Sequence, residues 1–131
     1  MLKFLPKRKL SLGEVTILDI KVETKDIENI VKLVSLSGEI DVYTSPKVKE
    51  TINALIEGGS YNLIINLEQV RYIDSTGLGV LIGALKKVRE HEGNIYLVCV
   101  DQQIKKVFTI TGLVKIFKIF ENNEEAISSF R

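Results

Sequence analysis

The 131 residues are 45% hydrophobic and 27% charged, with a formal net charge of +1. That length suits one compact domain with a real core and is short for two, and the composition is that of a globular chain rather than a disordered one. Near-neutral charge argues against a general attraction for nucleic acid. No apolar run approaches the roughly 18 residues of a membrane span. Residues 1–10 are basic but lack the continuous apolar core of a secretory signal. The lone Cys99, within an apolar run over 95–100, reads as a buried, reduced thiol. Together these features predict a cytoplasmic protein with no nucleic-acid or membrane partner.

Residues 1–12 read as a flexible basic tail, because Pro6 and the cations Lys3, Lys7, Arg8 and Lys9 leave little to bury. The domain is expected over 13–131. Val15, Ile17 and Ile20 alternate loosely over 15–22, and residues 30–36 are rich in β-branched side chains. Two strands joined by a turn at 26–29, as an antiparallel hairpin, account for both. Ser45-Pro46 then opens a helix, with serine as N-cap, proline in the first turn and Gly58-Gly59 as the stop. Its buried stripe is Val48, Ile52, Leu55 and Ile56.

Residues 63–67 are apolar on both faces except at Asn66, the mark of a central strand covered by helices. Leu78, Leu81, Ile82, Leu85 and Val88 share one face of the next helix. Lys86, Lys87 and Arg89 suit the negative end of that helix, and Gly93 closes it. Residues 95–100 form another two-faced strand. Asp101 caps a helix through Ile104, Val107, Phe108 and Ile110, which Gly112 ends. A short strand over 116–120 and a last helix, capped by Asn122 or Asn123 and ending near Phe130, complete the pattern. A hairpin followed by alternating helices and strands predicts an α/β domain. Its sheet is mixed and mostly parallel, of four to five strands, with about four helices packed on it.

The segment Asp74-Ser75-Thr76-Gly77-Leu78-Gly79 lies between the central strand and the longest helical pattern. Read from its residues alone, Ser75 is either an ordinary N-cap, its hydroxyl accepting the Leu78 amide, or a surface hydroxyl held rigidly for a partner to modify. Residues 62–79, ending Tyr-Ile-Asp-Ser-Thr-Gly-Leu-Gly, resemble the phosphorylation segment of bacterial anti-sigma factor antagonists of the STAS domain family. Gly38-Glu-Ile-Asp-Val-Tyr-Thr-Ser-Pro46 resembles that family's first conserved loop and stands at the expected separation.

The resemblance implies the same α/β architecture, and it implies Ser75 as the acceptor of phosphate from an anti-sigma factor that is itself a serine kinase. The unmodified form would bind that kinase and free the sigma factor, as in stress-response regulation of transcription, and a phosphatase would reverse the modification. Thr76 remains a competing acceptor. Asp41, Tyr43 and Thr44 in the first loop, with Asp74, Ser75, Thr76, Gly77, Leu78 and Gly79, are the expected partner-binding residues. Gly77 and Gly79 would let partner atoms approach closely. A phosphate at a helix start would be met by the dipole and free amides, and the fold would stay intact. A STAS module that is not phosphorylated and serves as a scaffold or senses a small ligand or nucleotide is the alternative.

Other residues read blandly. Asn66 stands where the family usually carries aspartate, which leaves a hydrogen-bonding role and removes any role needing a carboxylate. His91, the sole histidine, reads as a solvated surface residue. Phe117 and Phe120 read as core. No Gly-x-Ser-x-Gly elbow, Walker loop or Gly-x-Gly-x-x-Gly is present, and no base pairs evidently with Ser75. Neither an enzyme nor a cofactor or metal site is expected.

Overall fold

The computed structural model describes the backbone of Arg8–Leu10 and Val15–Ile17, and residues 20–131 in full. The flexible tail expected over 1–12 therefore lies largely outside the described residues. Arg8–Leu10 (β1) pairs antiparallel with Val15–Ile17 (β2), with Lys9 opposite Thr16.

The main sheet has five strands, Ile20–Ile27 (β3), Val31–Ile40 (β4), Asn62–Ile73 (β5), Asn94–Val98 (β6) and Lys118–Phe120 (β7), ordered as numbered. β3 and β4 form the antiparallel hairpin, and β4 through β7 run parallel. Helices Ser45–Glu57 (α1), Ser75–Arg89 (α2), Gln102–Ile110 (α3) and Asn123–Ser128 (α4) make the connections, with a 3-10 turn at Leu113–Lys115. The fold class is the one expected.

Several boundaries differ from the sequence reading. The first hairpin strand is Ile20–Ile27 rather than 15–22, so Asp26 belongs to the strand and not to the turn. Glu28 and Asn29 adopt positive φ in that turn, and the Asp26 carboxylate accepts the Asn29 amide. Lys32 bridges to Asp26 at 2.9 Å and, with that amide, holds the Asp26 carboxyl below its usual range. The N-cap of α1 is Thr44, not Ser45, and its hydroxyl is used elsewhere. The last strand is shortened to Lys118–Phe120 by the 3-10 turn before it.

The alternation of β5 explains the two cores. Leu63, Ile65 and Leu67 point into the larger core beneath α1, α2 and α3, where Phe108 and Phe117 meet edge to face with ring centroids 6.2 Å apart. Ile64 points the other way, into a smaller core with Val31, Leu33, Val98 and Ala126 of α4. Cys99 is buried, and that burial pushes its thiol pKa up, as an inert core thiol requires.

Asn66 falls on the α4 side. Its amide nitrogen donates to the Asn123 side-chain oxygen at 2.8 Å and to the Glu68 carboxylate at 3.0 Å, while its oxygen accepts the Glu68 amide. A neutral amide suits a buried position facing a carboxylate, where aspartate would set two anions together.

Beyond Asn66 the strand loses its simple period. Register shifts lie between Ser35 and Ser37 and between Gly38 and Glu39 of β4, where β5 carries extra residues. Leu67, Val70 and Ile73, each three apart, all point into the main core. Two such β-bulges carry β5 to Ile73, well past the stretch 63–67 that reads as a strand. Gly38, at φ +121°, supplies the backbone conformation the second bulge needs.

Candidate functional site

The two segments singled out in the sequence meet at the carboxyl ends of β4 and β5. Ile40 pairs with Ile73, and the Asp74 amide donates to the Ile40 carbonyl at 3.0 Å, locking the end of one strand to the start of α2. Such an edge is where open α/β sheets commonly carry their sites.

Asp74 is the N-cap of α2, and Ser75 is the first helical residue. The Asp74 carboxylate accepts the Thr76 amide at 2.9 Å, the Gly77 amide at 3.1 Å and the Thr76 hydroxyl. The Leu78 amide goes to the Asp74 carbonyl rather than to Ser75. Ser75 as N-cap is thus corrected by one position, because aspartate caps as well as serine and stands one residue earlier. The Thr76 hydroxyl, with the two amides, holds the Asp74 carboxyl below its ordinary range against the opposing effect of desolvation.

Two consequences follow for the hydroxyls. Ser75 is exposed, and no hydrogen-bond partner for its side chain is found among the described residues. Thr76 is also exposed, but its hydroxyl is committed to Asp74. The amides expected to receive a phosphate are already taken by Asp74, so a phosphate on Ser75 would stand beside a carboxylate and project toward solvent.

The first loop is organised from within. The Asp41 carboxylate accepts the Tyr43 and Thr44 amides at 2.9 and 3.0 Å. Thr44 is buried, its hydroxyl donating to the Glu39 carbonyl at 2.7 Å and accepting the Asp41 amide. These bonds give Asp41 and Thr44 structural work. They also push Tyr43 outward, 73% exposed, with Val42 beside it at 56%.

Gly77 packs inward. A Cβ there would lie 2.6 Å from Ile40 Cγ2 and 2.9 Å from Ile73 Cγ1, so glycine lets the helix start sit on the strand ends. Leu78 is buried, whereas Gly79 faces open space. Val42 and Tyr72, absent from the expected site, add exposed apolar surface at this end; Tyr72 is 48% exposed. The strand expected over 63–67 stops short of Tyr72, whose exposure follows only once β5 runs on to Ile73.

His91, at the opposite end of α2, is exposed but stacks flat on Tyr61 at 4.0 Å. Among the described residues no cluster of three His, Cys, Asp or Glu could hold a metal, and no helix is long and apolar enough to cross a membrane.

The sheet order, the Ser75 edge and the two matching segments define a STAS fold, and comparison with known proteins agrees. The STAS domain profile matches residues 21–126. An anti-sigma-B factor antagonist of Staphylococcus aureus (strain NCTC 8325 / PS 47) is 37% identical over 91 residues, 70% of this chain and 84% of that protein. The crystal structure of an anti-sigma factor antagonist from Mycobacterium paratuberculosis superposes with a TM-score of 0.79 at 28% identity, covering 86% of this chain and 94% of that one. Bacillus SpoIIAA in its phosphorylated form shares the fold, with a TM-score of 0.68 at 23% identity, covering 85% and 100% of the two chains. The chain belongs to the STAS domain family, among the anti-sigma factor antagonists.

Proposed function

We propose that this protein is a cytoplasmic anti-sigma factor antagonist that works by partner switching. Unmodified, it binds an anti-sigma factor serine kinase and frees the sigma factor; phosphorylation of Ser75 releases the kinase, and a phosphatase restores binding. The observation that carries this reading is the Ser75 hydroxyl, exposed and unbonded among the described residues, on a helix start pinned to the sheet by Asp74. Its neighbour Thr76 is the poorer acceptor, because its hydroxyl donates to Asp74. The Staphylococcus aureus relative, an anti-sigma-B factor antagonist by name, and the existence of SpoIIAA in a phosphorylated form support it.

The chemistry at Ser75 belongs to the kinase. This chain supplies a rigid nucleophile-bearing backbone, an exposed apolar surface from Val42, Tyr43 and Tyr72, and a local charge that phosphate changes by about −1.5 to −2. An anion set into a desolvated contact next to Asp74 opposes docking. The test is incubation with the anti-sigma kinase of the same organism and ATP, read by intact mass. One added phosphate on the wild type and none on Ser75→Ala is the expected result. Modification of Ser75→Ala to the same extent would move the acceptor elsewhere. No phosphate on either would favour the unphosphorylated scaffold or sensor.

A further inference from the structure

Along the outer side of α2, leading away from the Ser75 edge, a groove of about 410 Å³ runs between α1 and α2. Lys49 and Asn53 line it from α1, and Thr76, Gly79, Gly83 and Lys87 from α2. The α2 residues recur at helical spacing, so they form one continuous face starting next to Ser75. The two glycines of this face lack a reason inside the chain, and its charge is of one sign. Glycine within a helix weakens it relative to alanine, yet a Cβ at Gly79 or Gly83 would meet nothing within 4 Å. Lys49 and Lys87 form no salt bridge among the described residues, and no acidic side chain lines the groove. Lys87 instead donates to the Asn53 side-chain oxygen at 3.1 Å, joining the two walls.

We infer that the α1–α2 groove receives an acidic helix of the anti-sigma partner, its backbone close over Gly79 and Gly83 and its carboxylates met by Lys49 and Lys87. A channel between two helices, lined by small residues and with cations as its only charged residues, has the shape and charge for such a segment. The inference rests on the partner-switching reading and adds to it the chemistry of the partner. It also gives phosphorylation a direct lever. Ser75 adjoins Thr76 at the mouth of the groove, so phosphate there places like charge in the path of the acidic segment.

The test is calorimetric titration of the full chain with the unmodified anti-sigma kinase of the same organism. Gly83→Leu, far along the groove from Ser75, and the double variant Lys49→Glu/Lys87→Glu should each weaken binding at least tenfold. Circular dichroism should show both variants folded, with Gly83→Leu melting no lower than wild type, since leucine favours helix over glycine. If both groove variants bind within twofold of wild type while phosphorylation still abolishes binding, the groove assignment is overturned and the Ser75 switch stands. Loss in Gly83→Leu without loss in the charge reversal overturns the acidic character of the occupant. If the wild type fails to bind, the switch reading falls and takes the groove with it.

Discussion

Replacing Asp74 by alanine tests the geometry of the site without any partner. Three hydrogen bonds end on that carboxylate, from the Thr76 and Gly77 amides and the Thr76 hydroxyl. Two of them satisfy amides at the start of α2 that would otherwise lack an intrahelical acceptor. Loss of such a cap costs about 1–2 kcal/mol, which for a domain of this size lowers the melting temperature by roughly 4–8 °C. Asp74→Asn keeps an acceptor and loses only the charge at the helix dipole, so it should cost about 0.5 kcal/mol.

The pH dependence of the Asp74 substitution has a fixed sign. The folded-state pKa of Asp74 is lowered, chiefly by the Thr76 hydroxyl. Its contribution is therefore complete above the unfolded carboxylate value of about 4 and fades as pH falls through the lower folded value. Urea denaturation of wild type, Asp74→Ala and Asp74→Asn at pH 7 and pH 3 measures both effects. The gap between wild type and Asp74→Asn should narrow in acid. Equal stability of wild type and Asp74→Ala at pH 7, or a gap that widens in acid, would refute the cap.

Ser75→Ala should bind the anti-sigma kinase as wild type does, whereas Ser75→Asp should lose about 2–5 kcal/mol, on the order of 30-fold or more in affinity by calorimetry. Gly77→Ala should destabilise by about 1–3 kcal/mol, because its Cβ meets Ile40 and Ile73, while Gly79→Ala should be neutral or gain up to about 1 kcal/mol in urea melts. Asn66→Asp should cost about 1–3 kcal/mol at pH 7, since it faces Glu68 and loses its donation to Asn123; the cost should shrink below about pH 4, where carboxylates protonate. Removing residues 1–10 should leave stability within about 1 kcal/mol, because β1 joins only β2 and not the main sheet; a loss of several kcal/mol in a thermal melt would refute this.

Where side-chain period and secondary structure agree, the sequence was a sufficient guide. The faces of α1 and α2, the two-faced strand at 63–67 and the cap Asp101 are where their patterns put them; the strand expected over 95–100 ends at Val98, and of Asn122 and Asn123 the cap is Asn122. Reading failed where one residue can satisfy two local rules. Thr44 and Ser45, like Asp74 and Ser75, are adjacent cap formers, and the choice between them is made by tertiary bonds to Glu39 and Ile40. It failed again in β5 beyond Asn66, where bulges break the period of two that makes strands legible. Ser75 was found by its motif; the bonds that occupy Asp41 and Thr44, and the length of β5 that exposes Tyr72, come only with the fold.

The bulges in β5 turn the position of Ser75 into a matter of counting. β5 takes seven steps from Asn66 to Ile73, opposite Ile40, while β4 takes five to cover the same distance from Ser35. Deleting Arg71 would do more than remove an exposed cation. It would erase the second bulge, leaving Val70 and Ile73 two apart and both inward with Tyr72 still out, and it would remove the local bend and twist that aim the start of α2. In chains descended from a common ancestor, the number of residues along this strand should accordingly drift less than their identities. The distance between Asn66 and Ser75, measured in residues, is itself a heritable part of the site.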